Sequence, residues 1–179
     1  EFPSLAPQKD TLLTIGVFDG LHLGHLHLLK QLLQKAQSRN LWTGVLTFRN
    51  HPVEVLHPEI AIRLIAPLEE SLQRMRDLGI DLVVPITFTR EVSMLQPLEF
   101  VSLLQNRLGM KGLVVGTDFA LGHDREGDIQ ALHRLGQQRG FTVDAVEPLS
   151  LGGQIVSSTR VREAVRAGLR EALQSRTLA

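Results

Sequence analysis

Two histidines three residues apart, set among glycines, are the side chains of this protein best placed by type and spacing to do chemistry. They lie in the run Gly16-Val17-Phe18-Asp19-Gly20-Leu21-His22-Leu23-Gly24-His25, followed by Leu26, Leu29, Leu33 and Ala36 at helical spacing. An apolar strand candidate, a glycine-rich turn and a helix start therefore come in succession. Glycines let the backbone approach a ligand closely, a helix start presents N–H groups without intrahelical partners, and the imidazoles fall on neighbouring positions of the first turn. Together they read as a phosphate cradle. The Gly-Lys-Ser/Thr ending of a Walker loop is absent, and so is the G-x-G-x-x-G spacing of a dinucleotide fingerprint, which argues against a hydride-transferring cofactor. A helix cap plus a surface histidine would leave the glycines unexplained, and a zinc site formed with His27 would lack the Cys or His set that closes one. Asp19 stays open between a turn residue bonding its own backbone and a ligand contact, because a carboxylate beside a polyphosphate is repulsive.

The elements that must position this turn form an alternation. Short apolar runs rich in β-branched residues, at 12–17, 43–48, 82–86, 113–116 and 142–146, are separated by longer stretches with helical periodicity. This is the rhythm of βαβ units, and the nearly continuous apolar character predicts parallel strands covered on both faces. Five strands suffice for a doubly wound sheet. Gly79, Gly109 and Gly140 each stand where a helix has to end in a left-handed residue before the chain re-enters the sheet. Pro67 with Glu69 and Glu70, and Pro97 with Glu99, put a preset φ and negative charge into predicted first turns. In such a sheet the ligand lies beyond the carboxyl ends of the strands, where the Gly16–His25 run falls.

Composition narrows the classes further. With 179 residues, 43% of them hydrophobic and 21% charged, and with 15 Gly and 8 Pro spread along the chain, a single folded domain over 1–179 is expected. There is no cysteine, which excludes a disulfide scaffold. Nineteen Lys and Arg against nineteen Asp and Glu leave a formal net charge of zero, so no whole-molecule field draws it to nucleic acid or an anionic membrane. Any anion it binds must be held by a local site. No apolar run approaches the ~18 residues of a membrane span, and the opening Glu1-Phe2-Pro3-Ser4 lacks the regions of a signal peptide, making a cytoplasmic protein the default expectation.

The run G-x-F-D-G-x-H-x-G-H resembles the signature of the nucleotidylyltransferase superfamily. With Phe18 and Asp19 ahead of the first histidine, it is similar to the FMN adenylyltransferase domain of prokaryotic FAD synthetases. Three more segments match in that family's order: Phe48-Arg49-Asn50-His51-Pro52, then Val115-Gly116-Thr117-Asp118-Phe119 with Gly122 and Gly127, then Val156-Ser157-Ser158-Thr159-Arg160-Val161-Arg162. The resemblance covers nearly the whole chain. It departs from the family where Asn50 stands in place of a common Pro, and where Leu121 replaces an aromatic residue. It implies a Rossmann-like α/β fold and the transfer of AMP from ATP to the phosphate of FMN, giving FAD and pyrophosphate, with Mg²⁺. Of the family's two activities it implies only this one, since no riboflavin kinase domain is expected within this chain.

On that reading His22, His25 and helix N–H groups donate to phosphate oxygens, while Ser158, Thr159 and Arg162 clasp the leaving pyrophosphate at a second helix start. By itself the hydroxyl cluster Ser157 to Thr159 reads as a helix cap. Gly16, Phe18, Asp19, Gly20, Gly24 and Ser157 are expected to line the nucleotide site. Phe48, Asn50, His51 and Pro52 belong to a flavin wall within 48–56, and Asp118, Phe119 and Arg125 to a nucleotide wall within 118–127, with Gly116 just ahead of it as a further binding residue. Asp118 is the candidate for a nucleotide or metal contact, and no metal ligand set is assigned. His51 stays open between a packed loop residue and a ligand contact, and Arg125 between a solvated side chain and a phosphate contact. The alternatives are the same chemistry on another phosphate acceptor, or a silent flavin- or nucleotide-binding module.

Overall fold

The apolar runs become one parallel sheet. The computed structural model describes residues 9–168. Five strands, β1 (Thr11–Ile15), β2 (Trp42–Phe48), β3 (Leu82–Ile86), β4 (Met110–Gly116) and β7 (Thr142–Val146), lie in the order β3-β2-β1-β4-β7, every pair parallel. The chain thus starts at the centre, builds outward to β3, and reverses to the other side of β1. The switch point lies between β1 and β4, where a doubly wound sheet opens its crevice. Two two-stranded hairpins complete the strands: β5 (Ala120–Leu121) with β6 (Gly127–Asp128), and β8 (Ser150–Leu151) with β9 (Gln154–Ile155).

Helices cover both faces. Against one face α1 (Leu23–Ser38) and α3 (Leu68–Asp77) bury Leu29, Leu32, Ala36 and Met75 on Leu12, Val45 and Val114. Against the other, α5 (Pro97–Leu108) and α6 (Ile129–Arg139) bury Phe100, Val101, Leu104, Leu108 and Leu132 on Leu13, Leu46, Leu113 and Val115. Neighbouring residues of one strand face opposite cores, which is why β1 and the middle of β4 are apolar at consecutive positions. Short helices α2 (Pro52–Leu56) and α4 (Arg90–Ser93) decorate the loops, and α7 (Ser158–Arg166) closes the described chain. The far end of α1 is tied to β7, where Asp144 accepts from Lys35 at 3.0 Å and from both terminal nitrogens of Arg39 at 2.7 and 3.0 Å. That clamp holds the axis of the helix that carries His25.

The five expected strands are all present, with small shifts. β1 ends at Ile15, two residues early, because Gly16 already belongs to the turn, and β4 begins at Met110 rather than 113. Gly79, Gly109 and Gly140 have φ of 85°, 61° and 73°, the left-handed conformation their positions required. Pro97 opens α5 beside a Gln96–Glu99 capping box, whereas Pro67 is the residue before α3, with Glu69 and Glu70 in its first turn. The hairpins were not foreseen, since two residues are too few to show alternation. Among the described residues no helix is long and apolar enough to cross a membrane. Residues 1–4, which lack the basic and apolar regions of a leader, lie outside the described residues.

Candidate functional site

Beyond Ile15 the chain makes one last sheet bond, from the Gly16 N–H to Leu46 O at 3.1 Å, and then turns under itself. Phe18 is buried, with its ring tilted against that of His25 at a centroid distance of 5.1 Å. Asp19–Leu21 form a single 3₁₀ turn in which Gly20 has φ 70°. His22 is the N-cap residue of α1, but its side chain makes no capping bond. The helix-cap reading of His22 therefore fails on geometry. Its ring instead stacks on His25, with centroids 3.7 Å apart and planes 22° from parallel, and its Nε2 lies 2.9 Å from Ser158 Oγ.

That contact joins two helix starts. Ser157 caps α7, its Oγ accepting from the Arg160 N–H at 3.4 Å, so the helix-cap reading of the hydroxyl cluster holds for this residue, while Ser158 is turned to His22. A Cβ on Gly24 would stand 2.8 Å from Val156 O, closer than real Cβ atoms come, so only glycine allows the first turn of α1 to abut the segment leading into α7. The unpartnered N–H groups of both helices are thereby brought to one place. Thr159 is exposed on the first turn of α7. One turn further, Arg162 donates from Nη2 to Asp19 Oδ2 at 2.9 Å and from Nε to Arg63 O at 3.2 Å. The other oxygen of Asp19 accepts from the Ile65 and Ala66 N–H groups at 2.8 and 3.3 Å. Asp19 therefore does not bond its own turn, as the turn reading had it; it fastens a distant segment.

Burial and charge set the protonation of the pair. Burial pushes His22 down to about 4, Asp19 opposing the shift and Arg162 adding to it. His25 is held well below its usual value by burial first, then by His22 and Arg162. Both rings are neutral near pH 7. Each then carries one N–H donor, and Nδ1 of each is enclosed without a hydrogen-bond partner.

Next to this cluster, beyond the carboxyl ends of β1 and β2, lies a cleft of about 340 Å³, its mouth included. Phe18, Asp19, Phe48, Asn50 and His51 line it. Asn50 both donates to and accepts from the Phe88 backbone at 2.8 Å, and the Phe48 and Phe88 rings meet edge to face at 5.4 Å. His51 caps α2, with Nδ1 accepting from the Val53 N–H at 3.3 Å and Pro52 in the first turn. Its pKa is lowered by burial and then by Arg162, which ties the cleft electrostatically to the α7 side. The opposite wall was missed by sequence reasoning: Leu64, Ala66, Leu68 and Ser71 also line the cleft. Ser71 is buried with its hydroxyl unpartnered. The apolar run Leu64-Ile65-Ala66 just ahead of a helix start was the available signal.

The segment after β4 stands apart. Gly116 accepts from the Phe119 N–H at 3.0 Å, and Arg125 donates to Asp118 O at 2.8 Å. Asp118 and Arg125 are exposed, and Phe119 packs partly onto the core beneath α5. None of the hydrogen bonds of Asp118 or Arg125 given by the described residues reaches the histidines or Arg162.

A doubly wound sheet with two helix starts and paired histidines at its carboxyl edge defines an α/β domain of Rossmann-like type. Comparison with known proteins narrows this. The sequence profile of the FAD synthetase family matches residues 5–160, and the chain belongs to that family. It is 38% identical over 163 residues to the bifunctional riboflavin kinase/FMN adenylyltransferase of Escherichia coli K12, an alignment covering 90% of this chain and 52% of that protein. A protein of the same description from Listeria monocytogenes is 35% identical over 165 residues, covering 91% of this chain and 52% of the relative. The chain spans about half the length of the curated relatives it matches. A solved structure titled as a macrolide-efflux protein from Streptococcus pneumoniae superposes with a TM-score of 0.81 at 24% identity, over 95% of this chain and 56% of that one, and shows the fold alone.

Proposed function

We propose that this domain is an ATP:FMN adenylyltransferase: an oxygen of the FMN phosphate attacks the α-phosphorus of ATP in line, the bond to the β-phosphate oxygen breaks, and FAD and pyrophosphate are formed. The observation that carries the reading is the meeting of His22, His25, Ser158 and Arg162 at two abutting helix starts, beside a cleft walled by Phe48, Asn50 and His51. Such a displacement needs alignment and charge stabilisation rather than a protein nucleophile. Neutral imidazoles donate N–H bonds to oxygens whose charge grows in the transition state, without themselves changing charge. Arg162 offers the pyrophosphate the fork of donors that a lysine lacks. Among the described residues no group of three or more His, Cys, Asp or Glu side chains is arranged to cage a metal. Mg²⁺ in this reading arrives as the counter-ion of the ATP phosphates and keeps most of its waters. A cytoplasmic site of action follows from its two substrates.

The test is to incubate the purified protein with ATP, Mg²⁺ and FMN, with riboflavin in a parallel arm, and to separate the flavins by chromatography. FAD from FMN is expected. ATP binding without FAD would move the case to another phosphate acceptor or to a binding module, and FAD from riboflavin would require a kinase activity as well.

A further inference from the structure

Asp19 does two jobs with one carboxylate. Its Oδ1 accepts from the Ile65 and Ala66 N–H groups, in the segment that leads into α3, and Leu64, Ala66 and Leu68 of that stretch line the cleft. Its Oδ2 accepts from Arg162 on α7, and Arg162 also donates to Arg63 O in the same segment. Asp19 has a side chain only 2% exposed, against 16% for Arg162. A carboxylate so enclosed is tolerable only when its lone pairs are used, and here three donors use them. It has little to offer a substrate phosphate, which it would repel. The arginine is different: among the described residues two of its five N–H groups are spent, on Asp19 and Arg63, and its side chain keeps some access to solvent. Gly20 keeps the turn flush with the segment, since with φ 70° a Cβ there would run into the Ile65 side chain.

We propose that Asp19 is a positioning residue, which never touches substrate but locks the 63–66 wall of the cleft and the guanidinium of Arg162 into one unit. It rests on the adenylyl-transfer reading in one respect, that Arg162 meets the pyrophosphate. The acceptor side and the leaving-group side are then set by the same buried charge, so a ligand at Arg162 is felt at the wall.

The test has two parts. Asp19→Asn keeps size and one oxygen for the Ile65 and Ala66 amides, but turns an NH₂ toward Arg162. Its kcat is expected to fall about tenfold or more, while its affinity for inorganic pyrophosphate stays equal or rises because a negative charge has gone. A purely structural residue would lose binding and turnover together. Combining Asp19→Asn with Arg162→Lys should cost no more than about threefold beyond Arg162→Lys alone, since both remove one linkage. Unchanged kcat in Asp19→Asn, or losses that multiply, would overturn the proposal. The second part needs no variant and decides the matter if Asp19→Asn does not fold: hydrogen exchange at the Ile65 and Ala66 amides is followed as pyrophosphate saturates the unaltered protein. Altered exchange is expected, and bound pyrophosphate with unaltered exchange at both amides would overturn it. If the unaltered protein makes no FAD yet shows this response, the FMN reading fails and the linkage stands. No pyrophosphate binding at all would remove both.

Discussion

The junction of α1 and α7 and the segment between β4 and α6 were both expected to touch the nucleotide, and they are built in opposite ways. At the junction the bonds run between residues far apart in sequence: His22 to Ser158 spans 136 positions, and Asp19 to Arg162 spans 143. After β4 the side-chain bond is local, Arg125 reaching seven residues back to Asp118, and the long-range ties are two backbone bonds, from Thr117 N–H to Val146 O at 3.3 Å and from His123 N–H to Leu95 O at 2.9 Å. The junction also buries its charge and stacks its rings, whereas Asp118 and Arg125 stand in solvent. Groups held by long-range bonds from rigid elements are preorganised, and little reorganisation is left for the moment of reaction. A loop whose exposed side chains bond only within it, with two backbone bonds to the rest of the fold, opens at lower cost.

The sharpest way to break this contrast is to remove a ring. His22→Ala and His25→Ala are each expected to lower kcat by about two orders of magnitude, the usual cost of one lost oxyanion donor, as measured by FAD formation. Full activity in either would show that the junction is architecture only. A gentler probe leaves every polar group in place. Gly24→Ala puts a Cβ 2.8 Å from the backbone oxygen of Val156, which has to shift, parting the two helix starts, and kcat should drop about tenfold with a modest fall in melting temperature. If stability collapses instead, the abutment serves folding before catalysis.

The third probe is pH. The folded pKa of His22, about 4, lies below its ordinary 6.5, and that of His25 is also lowered, so the native state binds fewer protons than the unfolded chain. Stability from this source is complete above about pH 6.5 and is lost as the pH falls toward 4. Thermal melts should show that decline, and it should be shallower in His22→Gln. An identical decline in the variant would place the proton uptake elsewhere. The smallest effect is expected in the other region: Arg125→Ala should change kcat by no more than about threefold, because it removes one exposed bond to a carbonyl of the same loop. A loss comparable to that of His22→Ala would erase the difference between the two regions.

The sheet was legible because parallel strands covered on both faces read as unbroken apolar runs, and because Gly109 and its counterparts mark helix ends that only a left-handed residue can make. The His22-Leu23-Gly24-His25 helix start with its neighbouring histidines was legible because its parts lie within one turn of one another. Its relation to Ser158 and Arg162 rested on the order of motifs in a family, with no physical signal in the chain. The 63–71 wall escaped for a different reason. Its ties to Asp19 and Arg162 run through the backbone of Arg63, Ile65 and Ala66, which carries no residue-type signature, and the short apolar run 64–66 was its one signal.

What the sequence determined by itself was therefore local: the strands, the helix ends, the glycine turn, and the neighbouring histidines, each set by residues a few positions apart. Asp19 shows what it did not determine. Its carboxylate was equally consistent with a turn bond or a ligand contact; in the fold it does not bond its own turn and pairs with Arg162 and the Ile65 amide. That choice belonged to the tertiary structure, because the sheet order β3-β2-β1-β4-β7 carries the end of β1, the lead into α3 and the start of α7 to one edge. Only there does a buried negative charge find the donors that make its burial affordable.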